Sequence, residues 1–96
     1  MRLQEGERGG RFPPVLYLVA TPIGNLGDLS PRALETLRAV SVVAAEDTRR
    51  TWQLLSHFGV PRPARMISYR EGVEERAGEQ ILECLRAGQD VALCSV

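Results

Sequence analysis

The sequence is short of the residues that usually announce a function. It holds two cysteines, one histidine, one tryptophan, two tyrosines and two phenylalanines in 96 residues. Two cysteines cannot build the disulfide framework of a small secreted scaffold. Cys84 and Cys94 both sit in apolar patterns and read as buried free thiols rather than as a disulfide or a metal pair. No metal site is expected. Net charge is absent too, with 12 basic residues against 12 acidic ones. The overall balance therefore carries no signature of a nucleic-acid partner, which would need a local patch. No apolar run reaches the length of a membrane span, and "MRLQEGERGGRFPP" has charges and glycines where a signal peptide needs an apolar segment. Residues 1–14 read as a flexible tail, the membrane is not a partner, and the expected compartment is the cytoplasm.

What is present is ordinary globular material, 44% apolar and 25% charged. The length suits one small domain with one core. From Val15 onward strand and helix signals alternate. "VLYLVAT" is a β-rich, near-continuous apolar run, as in a strand covered on both faces. "SPRALETLRAV" reads as a helix with Ser30 as N-cap, Pro31 at the first helical position, and Ala33, Leu34 and Leu37 on one face. "SVVAAE" is a second strand. "TRRTWQLLSHFG" is a second helix, with Leu54, Leu55 and Phe58 inward and Gly59 as its stop. "ARMISY" is a third strand. "VEERAGEQILECLRAG" is a third helix, with Ala77, Ile81, Leu82 and Leu85 as its core stripe and Gly88 closing it. "DVALCSV" is a fourth strand. This βαβαβαβ order predicts an α/β domain over residues 15–96, an open, mostly parallel sheet with helices on both faces. The chain stops on an apolar residue at a strand end. The domain is therefore expected to be incomplete, with a second domain absent and apolar sheet surface left bare.

In open sheets of this kind ligands sit beyond the carboxyl ends of the strands. Two such ends carry polar chemistry. After the first strand, "TPIGNLGD" has Gly24 and Gly27, which let a backbone bend sharply and approach another molecule, and Asn25, which tolerates a left-handed conformation. Exposed N–H groups in such a loop can cradle an anion, although a tight connection without a ligand has the same composition. A dinucleotide site would want Gly-x-Gly-x-x-Gly there with an acid after the next strand. Glu46 supplies the acid, but the glycines are only Gly-x-x-Gly. After the second strand, "AAEDTRRT" places Glu46 and Asp47 beside Thr48, Arg49 and Arg50. Two cations in a first helical turn oppose the helix dipole and call for an anionic partner or for the neighbouring acids. One reading is a cap, with Asp47 or Thr48 accepting from the helix amides. The other is a polar cluster that binds phosphate through Arg49 and handles a proton through Glu46 or Asp47. His57 reads as a helix-terminal surface residue, and Trp52 and Phe58 as core.

Together, "VATPIGNLGDL", "RALETL", "AAEDTR" and "LLSHFG" resemble, in order and spacing, the small-subunit (16S) ribosomal RNA 2′-O-methyltransferases that modify a cytidine, within the tetrapyrrole methylase superfamily. The resemblance covers Val15 to Ser95. It implies an S-adenosylmethionine-dependent enzyme with a two-domain α/β fold, ribosomal RNA or its particle as partner, and a homodimer at full length. It also implies that Thr21, Pro22, Gly24 and Asn25 line the substrate side of the cleft, with Glu46, Asp47 and Arg49 beside them; at that strand end Glu46 and Asp47 are the expected catalytic carboxylates and Arg49 the expected substrate-binding cation. Ser95 would stand at the edge of the cofactor loop. Two departures accompany it. Arg70 and Gly72 stand where the family commonly has histidines, and Val73 where it has asparagine. The Ser-Asp-Ala-Gly loop expected after the fourth strand is represented only by Ser95. Two other function classes are weighed against this one: a tetrapyrrole-type methylase of a small carbon acid, and a non-catalytic doubly wound nucleotide-binding module such as a receiver domain. The latter would want an acidic pair after the first strand and a phosphorylatable Asp after the third, where "ATP" and "YRE" stand.

Overall fold

The computed structural model describes residues 13–21 and 29–95. Seven elements follow in the predicted order: β1 (Leu16–Ala20), α1 (Pro31–Ala39), β2 (Val42–Ala45), α2 (Thr48–His57), β3 (Arg65–Ser68), α3 (Glu74–Arg86) and β4 (Val91–Ser95). The expected tail lies outside the described residues apart from Pro13 and Pro14.

Local chemistry sets the helix limits. Ser30 Oγ accepts the Ala33 N–H at 3.1 Å, and Pro31 opens α1 without giving up a useful donor. Gly59 and Gly88 follow α2 and α3 with φ of 65° and 86°, a region that side chains disfavour. In both places the next amide reaches back over the helix end. Val60 N–H donates to Leu55 O at 2.9 Å, and Gln89 N–H to Cys84 O at 3.0 Å. These are Schellman closures, which satisfy carbonyls a helix end otherwise leaves open. No side chain caps the start of α3, but Glu74 and Glu75 in its first turn favour the positive end of the helix dipole.

The four strands form one all-parallel sheet in the order β1-β4-β2-β3. Helices lie on both of its faces, as expected. On one face α1 and α2 bury Leu37, Leu54 and Leu55 against Tyr17, Val19, Val43, Ala45, Ala92 and Cys94. On the other, α3 buries Ala77, Ile81 and Cys84 against Val42, Ala44, Ile67 and Val91. β2 is buried at all four positions, being covered from both sides. Two threonines enter the helix–sheet layer without an orphaned hydroxyl: Thr36 and Thr51 each donate to the carbonyl four residues back, at 3.0 Å. Asp90 joins β1 to β4, its Oδ1 accepting the Val15 N–H at 2.8 Å while Val91 N–H donates to Val15 O at 3.1 Å.

Two expectations need correction. β1 is not covered on both faces. Tyr17 and Val19 are buried, but Leu16 is 41% and Leu18 78% exposed. The reason is topological: β1 is an edge strand, and α3 lies over β2, β3 and β4. On α3, Leu82 is half exposed and Cys84 takes its place in the core. The inward line runs through Ala77, Ile81 and Cys84, and Leu82 stands one residue of rotation away from it.

Candidate active site

The strand register brings the carboxyl ends to within one residue of a common level. Ala20 pairs with Ser95, and Ala45 lies opposite Cys94 on one side and Ser68 on the other. The side chains described at this rim, Ala20, Ala45 and Ser68, are small, so a ligand can approach the strand ends closely. One residue beyond stand Thr21, Glu46 and Tyr69. Tyr69 N–H donates to Ala45 O at 2.7 Å, which holds the exit of β3 against β2 beside Glu46. Strands in a sheet lie about 4.8 Å apart, so Thr21 and Glu46, two strands apart, are separated by about 10 Å. Thr21 is half-buried and Glu46 exposed.

Asp47 turns the chain from β2 into α2. Its backbone is extended, and its Oδ1 accepts the Arg50 N–H at 3.1 Å. Its carbonyl accepts both the amide and the hydroxyl of Thr51, at 3.1 and 3.0 Å. Of the two capping residues that the sequence allows, Asp47 is therefore the N-cap, and Thr48 is the first helical residue. Arg49 and Arg50 occupy the first turn, both exposed. Asp47→Ala should cost about 1 kcal/mol of stability through loss of this cap, and Asp47→Asn close to nothing, since asparagine caps as well. Urea unfolding monitored by circular dichroism checks both.

Pro22, Gly24 and Asn25 lie outside the described residues. Ser95 ends β4 with its backbone paired to Ala20. His57 is at the far end of α2, about 15 Å along the helix from Asp47. It stands edge-on to Phe58 at 4.9 Å and is removed from the strand ends. Trp52 packs on the core, as expected, and the Arg62 guanidinium sits over its ring at 4.4 Å. Among the described residues no group of His, Cys, Asp and Glu could hold a metal. Tyr69 is the rim residue that sequence reasoning passed over. The expected strand "ARMISY" ends in it, but only the β2–β3 register reveals that it stands level with Glu46.

Both cysteines are free and buried, as their apolar settings predict. Cys94 sits one residue below the rim, and burial pushes its thiol from the ordinary 9.0 to about 11. The folded chain therefore holds this proton more tightly than the unfolded one. That contribution to stability is complete below pH 9.0 and is lost as pH rises towards about 11. Cys94 should accordingly resist alkylation at neutral pH until denaturant is added, which mass spectrometry of the labelled peptides would register.

A family model described as Tetrapyrrole (Corrin/Porphyrin) Methylases matches residues 15–96. The chain belongs to the tetrapyrrole methylase family. Several curated members are similar to it. A protein of Synechocystis named ribosomal RNA small subunit methyltransferase I is 53% identical over 81 residues, 84% of this chain and 28% of the relative. The namesake in Escherichia coli O157:H7 is 50% identical over 80 residues, 83% of this chain and 27% of the relative. That of Bacillus subtilis is 42% identical over 95 residues, 99% of this chain and 32% of the relative. The chain thus spans about three tenths of the length of the curated methylases it matches. Among its described residues no helix is long and apolar enough to cross a membrane.

Proposed function

We propose that this chain forms part of a cytoplasmic, S-adenosylmethionine-dependent enzyme that methylates the ribose 2′-hydroxyl of a cytidine in small-subunit (16S) ribosomal RNA. The observation that carries the reading is the rim itself. An exposed carboxylate, Glu46, stands at the carboxyl end of a parallel methylase sheet, with arginine in the next helical turn. The relatives named for small-subunit ribosomal RNA supply the substrate class.

The rim fits the cofactor on steric grounds, because Ala20, Ala45 and Ser68 leave the strand ends open to close approach. Ser95, at the end of the inner strand β4, is the residue proposed to border it. When bound, S-adenosylmethionine supplies an electrophilic methyl group, and little covalent chemistry is then required of the protein. The chain's residues orient the ribose and receive a proton. Thr21, Pro22, Gly24 and Asn25 would line the nucleotide's side of the cleft. Arg49 would hold a phosphate flanking the ribose, which positions the nucleotide without reading its base. Glu46 would accept the hydroxyl proton as the oxygen–methyl bond forms. Asp47, already accepting the Arg50 amide, keeps the start of α2 in place beside it.

The test uses the natural polypeptide that carries these residues, S-adenosylmethionine labelled in its methyl group, and small ribosomal subunits from cells lacking the modification. Label in the ribose of one 16S cytidine is the expected result. Label in a tetrapyrrole and none in RNA would overturn it in favour of the small-molecule branch of the family.

A further inference from the structure

The sheet has a second edge, and it is basic. Between β3 and the inner side of α3 runs an open groove of about 420 Å³ lined by Arg65, Arg70 and Arg76, with Ser68 and Gln80 between them. Among the described residues no carboxylate lines it. Three of the four acids of α3, Glu74, Glu75 and Glu79, line a separate depression, which meets the groove at Val73 and Arg76. This segregation occurs in a chain with no net charge, whose 12 basic residues are all arginine. The guanidinium at one end is held in place, as Arg65 Nη1 lies 3.6 Å from Cys84 Sγ. At the other end Arg70 follows Tyr69, the rim residue level with Glu46. The groove therefore opens onto the candidate active site. From Arg65 to Ser68 it follows β3 for about 10 Å.

We propose that this β3–α3 groove is a docking surface for the phosphate backbone of the substrate RNA, continuing the path of the strand away from the rim. The proposal rests on the ribosomal RNA reading and gives that substrate a second contact outside the reacting nucleotide. Arginine suits the task because its planar fork meets phosphate oxygens in pairs. Such contacts fix the register of the RNA and carry no base preference.

Binding of the chain to a short, fluorescently labelled single-stranded RNA of mixed sequence, without S-adenosylmethionine, tests it by anisotropy. Each phosphate contact on a single strand contributes about 0.7 to the slope of log affinity against log salt. The triple variant Arg65→Gln, Arg70→Gln, Arg76→Gln should lose about 2 from that slope. Between 50 and 200 mM salt the native chain should therefore lose about 20-fold more affinity than the variant. The matching triple lysine variant should keep the slope, and Arg86→Gln, on α3 outside the groove, should leave it unchanged. Arg70→Gln alone, in the exposed turn after β3, should lower it by about 0.7 and serves if the triple variant unfolds. An unchanged slope in a folded glutamine variant would overturn the proposal, leaving the arginines as guards of an exposed strand edge. So would displacement of the RNA by polyglutamate at equal charge, which would indicate an acidic protein partner instead. Methyl transfer is scored separately. A chain that methylates ribosomal RNA with an unaltered salt slope refutes the groove alone, and groove-dependent binding without methyl transfer refutes the catalytic reading alone.

Discussion

Glu46→Gln should lower methyl transfer to the small ribosomal subunit by about 10²–10⁴-fold, the usual contribution of a positioned general base. The substitution keeps the size of the side chain and its capacity to accept a hydrogen bond, and removes only the site for the proton. RNA affinity and unfolding midpoint should therefore stay close to those of the parent. Asp47→Asn is the informative companion. Asp47 Oδ1 accepts the Arg50 N–H, a bond that asparagine reproduces, so the variant keeps α2 anchored while deleting the second carboxylate. If Glu46 is the base, Asp47→Asn retains most turnover. If the loss appears in Asp47→Asn and not in Glu46→Gln, the proton goes to the capping residue. Full turnover in both would make the pair structural and sink the assignment. Arg49→Ala should act differently, weakening RNA binding and its salt dependence more than the rate at saturation.

The largest stability effect is expected at Leu55. Its side chain is 2% exposed and packs between α2 and the sheet among Leu37, Leu54, Val43 and Ala45. Leu55→Ala removes buried methyl groups and leaves a cavity that a close-packed layer cannot refill, a loss of about 2–5 kcal/mol. Small domains are held by margins at the low end of about 5–15 kcal/mol, so this one change should consume much of the total. Leu18 supplies the control. It is the same residue type in an element of the same sheet, yet 78% exposed, and Leu18→Ala should stay within about 0.5 kcal/mol. Urea midpoints for the two variants separate the predictions. Equal losses at both positions would mean that Leu18 is covered in solution.

That pair of leucines also marks how far sequence reading reaches. All seven elements and their order were legible, because each rests on interactions among near neighbours. Ser30 and Pro31 open α1, Asp47 opens α2, and Gly59 and Gly88 take the left-handed conformation that closes α2 and α3. The alternation of strands and helices then leaves a parallel sheet with two covered faces as the consistent arrangement. The rim residue Glu46 was legible for the same reason, since the end of a strand is a local feature. Asp47 and Thr48 stayed equivalent as caps, because either hydroxyl or carboxylate could reach the amides until the backbone placed one of them.

What the chain order could not specify is which strand neighbours which. β4 inserts between β1 and β2, and only that insertion makes β1 and β3 the edges. An apolar run such as "LYLVA" looks the same whether one helical layer or two will cover it, so the exposure of Leu16 and Leu18 was decided by where α3 lies. The same holds for the rim and the groove. Ala20, Ala45, Ser68 and Ser95 come within one residue of a common level through inter-strand register, and Arg65, Arg70 and Arg76 share a groove because β3 is an edge with α3 laid along it. Helix caps, turns and periodicity act over a few residues and are written in the local sequence. Register, edges and the meeting of distant charges depend on free-energy differences summed over the whole sheet, and exist only once it has assembled.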